Sequence, residues 1–311
     1  MRTMRIGEKK VGDGQPCYII AEIGINHDGS LEKAKTLMTL AASAGVDAVK
    51  LQKRNNWERL IPPDMWDEPK LAPWGETMPY HEYRKRMEFD KDGWTELFGL
   101  ARTLNVDCFA SVWDRLACSW LVDEFPDDLA AIKIPSAHFT NEPLVHYAAT
   151  RALPVILSTG MSTMAEIQRV TEEMGDYGTR NWALLHCHSA YPAPTKELNL
   201  NVINAWRYFS ALSNVPIGYS GHEVGLATTV AAVALGACIV ERHITLDRAS
   251  TGSDHAASIE PNGFARLVRD IRKVESALGD GKKVVWDTEL PAKAKLRPNL
   301  MPSEKGQLTD K

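Results

Sequence analysis

CYIIAEIGINHDGSLEKAKTLMTLAASAGVDAVKLQ (17–52) reads as strand, helix, strand. The first run, CYIIAEIG (17–24), is apolar on successive residues rather than alternating, as a parallel strand covered on both faces must be. Ser30 can cap the following helix, Glu32 and Lys33 sit in its first turn, and Gly45 ends it. Leu31, Ala34, Leu37, Met38, Ala41 and Ala42 recur at helical spacing and give one apolar face. VDAVKLQ (46–52) is the second strand. Strands joined through a helix run parallel.

The unit recurs along the chain. Six more apolar runs follow: VDCFASV (106–112), LAAIKIPS (129–136), LPVILSTG (153–160), WALLHCHS (182–189), VPIGYSGH (215–222) and ACIVERH (237–243). Helical stretches are expected near 91–104, 114–124, 141–150, 163–175, 199–213, 224–235 and 261–279. Eight units predict an α/β chain closed as a (β/α)8 TIM barrel, although an open sheet would share the spacing. The runs end in Glu22, Lys50, Gln52, Lys133, Ser136, Ser158, His186, His188, Ser220, His222, Glu241 and His243. In a barrel those ends meet at one rim, where barrels do chemistry.

Residues 1–280 are expected to form this barrel. The segment 53–90 interrupts the rhythm as a long insertion rich in Trp, Pro and charge, Trp57 and Arg84 included. Connections of that length are functional or disordered, and the aromatics favour an ordered cover, either a substrate lid or an oligomer contact. Residues 281–311 read as a surface tail, with no second domain.

A formal charge of -4 offers no basic excess for nucleic acid. Five cysteines, an odd number without metal-ligand spacing, suit a reducing cytoplasm. No apolar run reaches the ~18 residues of a membrane helix, and MRTMRIGEKK has no apolar signal core.

His222 and His243 end neighbouring strands, so their imidazoles can share a divalent ion with water in the open positions, or simply hydrogen-bond. Glu22 and Glu241 could orient them. Lys50 and Lys133 converging on the mouth would bind a phosphate or carboxylate. Singly, each lysine could instead snorkel and each serine could be a helix cap. Ser136, Ser158, Ser189 and Ser220 add hydroxyls to the rim, and the STGM turn leads into a helix N-terminus able to help hold an anion. A lysine Schiff base is the rival chemistry. Glu22 is a candidate base or a structural carboxylate paired to a lysine. Tyr191 is a ligand contact or a turn residue. Asp254 binds sugar hydroxyls or forms a turn.

The runs IIAEIGINHDGSLEKAK, AGVDAVKLQK, KRMEFDKDG, KIPSAHFTN, VILSTGMST, LLHCHSAYP, PIGYSGHEVGLATTVAAVALGA, VERHITLD and GSDHAASIEP resemble, in that order, the sialic acid synthase family. The resemblance spans most of residues 18–262. It implies a transferase that condenses phosphoenolpyruvate with an N-acetylmannosamine-like aldehyde in carbohydrate biosynthesis. It also implies a metal, manganese before magnesium or cobalt, on His222 and His243. Phosphoenolpyruvate would be held by Lys50, Lys133, Ser136, Ser158 and Ser220. The acceptor would be held by Glu22, Gln52, Tyr191 and Asp254. The chain departs from the family at PSAH, where His138 replaces an acidic acceptor contact, and at Ser189, where asparagine is common. Family members also carry a C-terminal antifreeze-like domain, whereas the sequence ends at Lys311. A homodimer is therefore expected to use barrel surfaces. A catalytically silent, ligand-binding homologue is the reading from another functional class.

Overall fold

The computed structural model describes residues 1–55, 60–209, 212 and 214–297. Trp57 of the insertion and residues 298–311 of the tail lie outside the described residues. The chain opens with an antiparallel hairpin, β1 (Thr3–Ile6) and β2 (Lys9–Gly12). Eight strands then form a closed barrel: β3 (Tyr18–Gly24), β4 (Ala48–Lys53), β7 (Asp107–Val112), β8 (Ile132–Ile134), β9 (Val155–Ser158), β10 (Trp182–Cys187), β11 (Ile217–Gly221) and β12 (Ile239–His243). Each neighbour is parallel, and β12 closes on β3 with His243 opposite Glu22. The closed order decides between barrel and open sheet.

Each barrel strand is followed by a helix: α1 (Leu31–Ser43), α3 (Lys91–Leu104), α4 (Arg115–Glu124), α5 (Glu142–Ala149), α6 (Met164–Asp176), α7 (Asn201–Tyr208), α8 (Ala227–Ala234) and α9 (Pro261–Leu278). Ser30 caps α1 as expected, its hydroxyl accepting from the Lys33 amide at 3.2 Å. One core joins strand residues such as Ile20, Phe109 and Leu185 to helix residues such as Leu37, Trp94 and Phe264. Burial of that apolar area on both sheet faces drives the fold.

The hairpin was not legible as such in MRTMRIGEKK. It buries Met4, Ile6 and Val11 in the core. Lys9 also donates to the Asp47 carbonyl at 2.9 Å and lies 3.2 Å from Asp107, so the hairpin sits against the barrel's N-terminal end, opposite the strand ends that form the rim. The insertion holds more structure than a loop. It contains the two-stranded pair β5 (Pro69–Leu71) and β6 (Thr77–Pro79), followed by α2 (Tyr80–Arg86). Ala72, Met78, Tyr83 and Met87 make a small apolar cluster with Ile25, which seats the insertion beside the end of β3.

Residues Met1–Ser276 form one compact unit, and a second begins at Ala277. Within that second unit, where the sequence reads only as tail, Leu290–Leu296 form a short helix, α10. No helix among the described residues is long and apolar enough to cross a membrane.

Candidate active site

Side chains alternate across a strand, so parity decides what enters the barrel mouth. On β12, Glu241 and His243 line the mouth cavity, while Arg242 between them turns out toward α8. On β11 Ser220 faces in, and Tyr219 faces out to Glu223. The cavity measures about 260 Å³. It gathers Glu22, Lys50, Gln52, Lys133, Ser136, Ser158, Ser189, Tyr191, Ser220, Glu241, His222 and His243.

Lys50 and Lys133 are 2% and 1% exposed. Neither snorkels; both ammonium groups stay at the cavity floor. Lys50 pairs with Glu22, donates to Ser111 at 2.6 Å and lies 3.6 Å from Glu241. Lys133 donates to Ser158 at 2.7 Å and to the Ile134 carbonyl at 3.1 Å, with Glu241 at 4.0 Å. Gln52 donates to Glu22 at 3.4 Å, and Ser220 to Glu241 at 3.2 Å. Glu22 thus pairs with a lysine, as its structural reading expects, and it also lines the cavity.

The two carboxyls behave oppositely. Burial pushes Glu22 up to about 7, against the pull of Lys50 and with a push from Glu241. Burial also opposes ionisation of Glu241, but Lys133 and Lys50 hold it down to about 2. Glu241 is the fixed counter-charge, and Glu22 is the group poised to exchange a proton near neutral pH.

The imidazole rings of His222 and His243 lie 5.4 Å apart between centroids. His222 Nδ1 faces the His188 carbonyl at 2.8 Å, which assigns the proton to Nδ1 and leaves the Nε2 lone pair free. Burial pushes His243 down to about 3, so it is neutral, the form that binds a metal. Its Nδ1 is buried without a hydrogen bond and faces Asp254 at 3.6 Å. Two oriented imidazoles with their outer nitrogens engaged or facing acceptors fit a divalent ion. Among the described residues no set of three or more His, Cys, Asp or Glu side chains forms a metal cluster, so water or substrate oxygens would complete the coordination.

Tyr191 packs at a tilt against His222, ring centroids 4.1 Å apart. Ser136 accepts from the Gly160 amide at 3.0 Å. Here the backbone must approach closely: a Cβ on Gly160 would meet Ser189 Oγ at 2.0 Å and Ser136 Oγ at 2.8 Å. The helix N-terminus expected to help hold an anion is capped from within the chain, although Met161 of the turn before it lines the cavity. Thr163 and Glu166 form a reciprocal capping box there, and neither lines the cavity.

Other expected contacts lie elsewhere. His138 lines a separate cavity, edge-on to Trp113 and 3.3 Å from the Asn141 amide. His186 faces outward, its Nε2 2.7 Å from the Leu198 carbonyl, and His188 pairs with Glu197 at 3.4 Å. Asp254 lines an adjoining cavity but reaches the site through His243. The lining residues that were missed include three able to matter chemically. Ser111 and Trp113 continue the inward parity of the third run, and Cys187 follows that of the sixth. Cys187 lies 3.9 Å from His222, and despite burial this neighbour brings its thiol down to about 7.

The NeuB family model matches residues 37–283. N-acetylneuraminate-9-phosphate synthase of Homo sapiens is 38% identical over 94% of this chain and 79% of its own length. N,N'-diacetyllegionaminic acid synthase of Legionella pneumophila is 33% identical over 94% of this chain and 82% of its own. The solved N-acetylneuraminic acid (sialic acid) synthetase of Leptospira borgpetersenii, in complex with citrate, superposes with a TM-score of 0.81 at 30% identity, covering 96% of this chain and 99% of that one.

Proposed function

The chain belongs to the NeuB family of carbon–carbon bond-forming synthases, and from that premise we propose that it joins phosphoenolpyruvate to an N-acetylmannosamine-like aldehyde with the help of a divalent metal. The products are a 3-deoxy-2-keto acid of the sialic type and phosphate. The observation that carries this reading is the meeting of two buried lysines and two imidazoles over one small cavity.

Lys50 and Lys133 hold the anionic groups of phosphoenolpyruvate, exchanging part of their contact with Glu22 and Glu241 for the ligand. Ser136, Ser158 and the Gly160 turn shape the rim around it. This places the methylene carbon against the acceptor, which rests on Gln52 and Tyr191. A divalent ion on His222 and His243, manganese first among the candidates, would supply Lewis acidity toward the aldehyde oxygen. The methylene carbon bonds to the aldehyde carbon, and the aldehyde oxygen takes a proton. Positive charge left at the enol-ether carbon is quenched by water, which gives up a proton. Cleavage of the C–O bond then releases phosphate and leaves the keto group. Glu22, with its carboxyl near 7, gives or takes the proton at the acceptor oxygen or the water.

Burial lowers the Lys133 ammonium, which favours a second reading, a Schiff-base aldolase. Borohydride trapping of a pyruvate adduct on Lys133 would establish that chemistry instead. The primary test is phosphate release from phosphoenolpyruvate with N-acetylmannosamine, its 6-phosphate and related aldehydes, with and without Mn²⁺. Release should need both acceptor and metal. His222→Ala and His243→Ala should each abolish it while leaving the thermal transition in place. Full turnover after chelation would remove the metal, and silence with every acceptor would remove the condensation.

A further inference from the structure

A second cavity of about 560 Å³ adjoins the first, and Gln52, Trp113 and Tyr191 line both. Its wall on the insertion side carries Arg54, just after β4, and Arg84 in α2. Each is only 7% exposed. Among the described residues neither guanidinium forms an ion pair. Glu88, the carboxylate next along the chain from Arg84, is taken by Lys53 at 3.3 Å. Arg54 stacks on Trp113, its Cζ 3.7 Å from the ring centroid, which occupies a face of the guanidinium and leaves its N–H edge for a ligand. Among the described residues the acidic one on this cavity is Asp254, and it is engaged: Oδ1 accepts from Ser253 at 2.6 Å and Oδ2 faces His243 at 3.6 Å.

Two nearly buried arginines with no ion pair among the described residues are an unfavourable arrangement in an empty protein, even with the Glu88 and Asp254 carboxylates acting on Arg54 from a distance. Burial, with Arg84 adding its repulsion, brings Arg54 down to about 9. The lysines of the first cavity, by contrast, already have carboxylates of their own. The second cavity is the place where a further anionic group would be bound.

We propose that Arg54 and Arg84 hold a phosphate group at the end of the acceptor remote from its aldehyde, so that the substrate is a phosphorylated amino sugar rather than the free sugar. The proposal rests on the condensation reading above. A neutral sugar would leave both guanidinium groups unpaired, whereas a phosphomonoester offers each a charge-assisted, bidentate contact. The aldehyde at the imidazole pair and the phosphate at the arginines would then lie on opposite sides of Gln52 and Tyr191.

Steady-state rates with N-acetylmannosamine 6-phosphate and with N-acetylmannosamine test this in the intact chain. The phosphorylated acceptor should win by at least about a hundredfold in kcat/KM, as expected for a paired against an unpaired buried charge. Arg84→Gln and Arg54→Gln should each raise KM for that acceptor by tenfold or more, leave KM for phosphoenolpyruvate in place, and erase the preference. Equal use of the two sugars by the unaltered protein overturns the proposal, and that arm does not depend on the variants folding. Calorimetry with the same two sugars separates the two failures. Phosphate-dependent binding without turnover would sink the condensation and leave the arginine site standing. Absence of any phosphate preference in binding or turnover would sink the site alone.

Discussion

Two buried carboxylates, Glu223 in the turn just after β11 and Glu241 on β12, have been given opposite surroundings. Glu223, between the barrel and α8, is fully engaged. Its Oε1 accepts from Arg242 at 3.0 Å, Thr228 at 2.7 Å and Thr229 at 2.9 Å, and its Oε2 accepts from Tyr219 at 2.8 Å. Arg242 Nε alone on that pair is left without a partner. Glu241, facing the cavity, takes one hydroxyl hydrogen bond from Ser220, and its Oε2 lacks any. Its lysines stand off at 3.6 and 4.0 Å. A satisfied buried pair holds a structure in place, and an under-satisfied one keeps bonding capacity for a ligand. The difference separates scaffold from site without reference to any relative.

The largest effect should come from breaking the satisfied pair. Arg242→Met leaves the Glu223 charge buried without its cation and should remove about 3–5 kcal/mol of stability. For a barrel of this size that is a drop of roughly 5–8 °C in Tm, readable by calorimetry. Adding Glu223→Leu should restore much of the loss. Burial opposes ionisation of Glu223, but Arg242 together with the hydrogen bonds from Thr228 and Tyr219 holds its carboxyl below the usual value. Its contribution is therefore present above the unfolded carboxylate pKa and is lost as pH falls through the folded value. Acid titration of stability should show that slope in the natural protein and a weaker one in Arg242→Met. A variant as stable as the parent would erase the scaffold half of the comparison.

Glu241→Gln should behave in the opposite way. Lys50 keeps Glu22, and each lysine keeps a hydroxyl partner, Ser111 or Ser158, so the loss of stability should be smaller than that of Arg242→Met. Phosphate release should fall by roughly tenfold to a hundredfold, because the fixed counter-charge that orients both ammonium groups is gone. Loss of stability with normal turnover would show the two carboxylates to be alike.

Much of this site was legible because barrels put strand ends on one rim: Lys50, Lys133, His222 and His243 were found by that rule before any distance was known. Parity was less legible. The runs are apolar on both faces, so nothing in WALLHCHS says that Cys187 enters the cavity while His186 packs edge-on against Trp206, 5.6 Å between centroids. Ser111 and Trp113 share the cavity for the same reason and carry no charge to draw notice. Arg54 and Arg84 were out of reach altogether. Thirty residues separate them, and they meet because the apolar cluster around Tyr83 and Ile25 folds α2 back over the rim, a non-local contact with no periodic signature.

The smallest and sharpest test uses adjacent residues of β11. Tyr219 and Ser220 each donate one hydroxyl to one of the two carboxylates, at 2.8 and 3.2 Å. Tyr219→Phe removes a single oxygen from a packed, buried position and leaves Glu223 Oε2 unsatisfied. It should cost about 1–3 kcal/mol of stability with kcat/KM nearly unchanged. Ser220→Ala removes an oxygen from the cavity wall, where the freed Glu241 oxygen can turn to water or ligand. It should cost under about 1 kcal/mol in stability while slowing turnover several-fold. The two changes are one residue apart and similar in chemistry, so only the face each points to can make their outcomes cross. If both moved stability alone, or both moved turnover alone, the division of this barrel wall into scaffold and site would not hold.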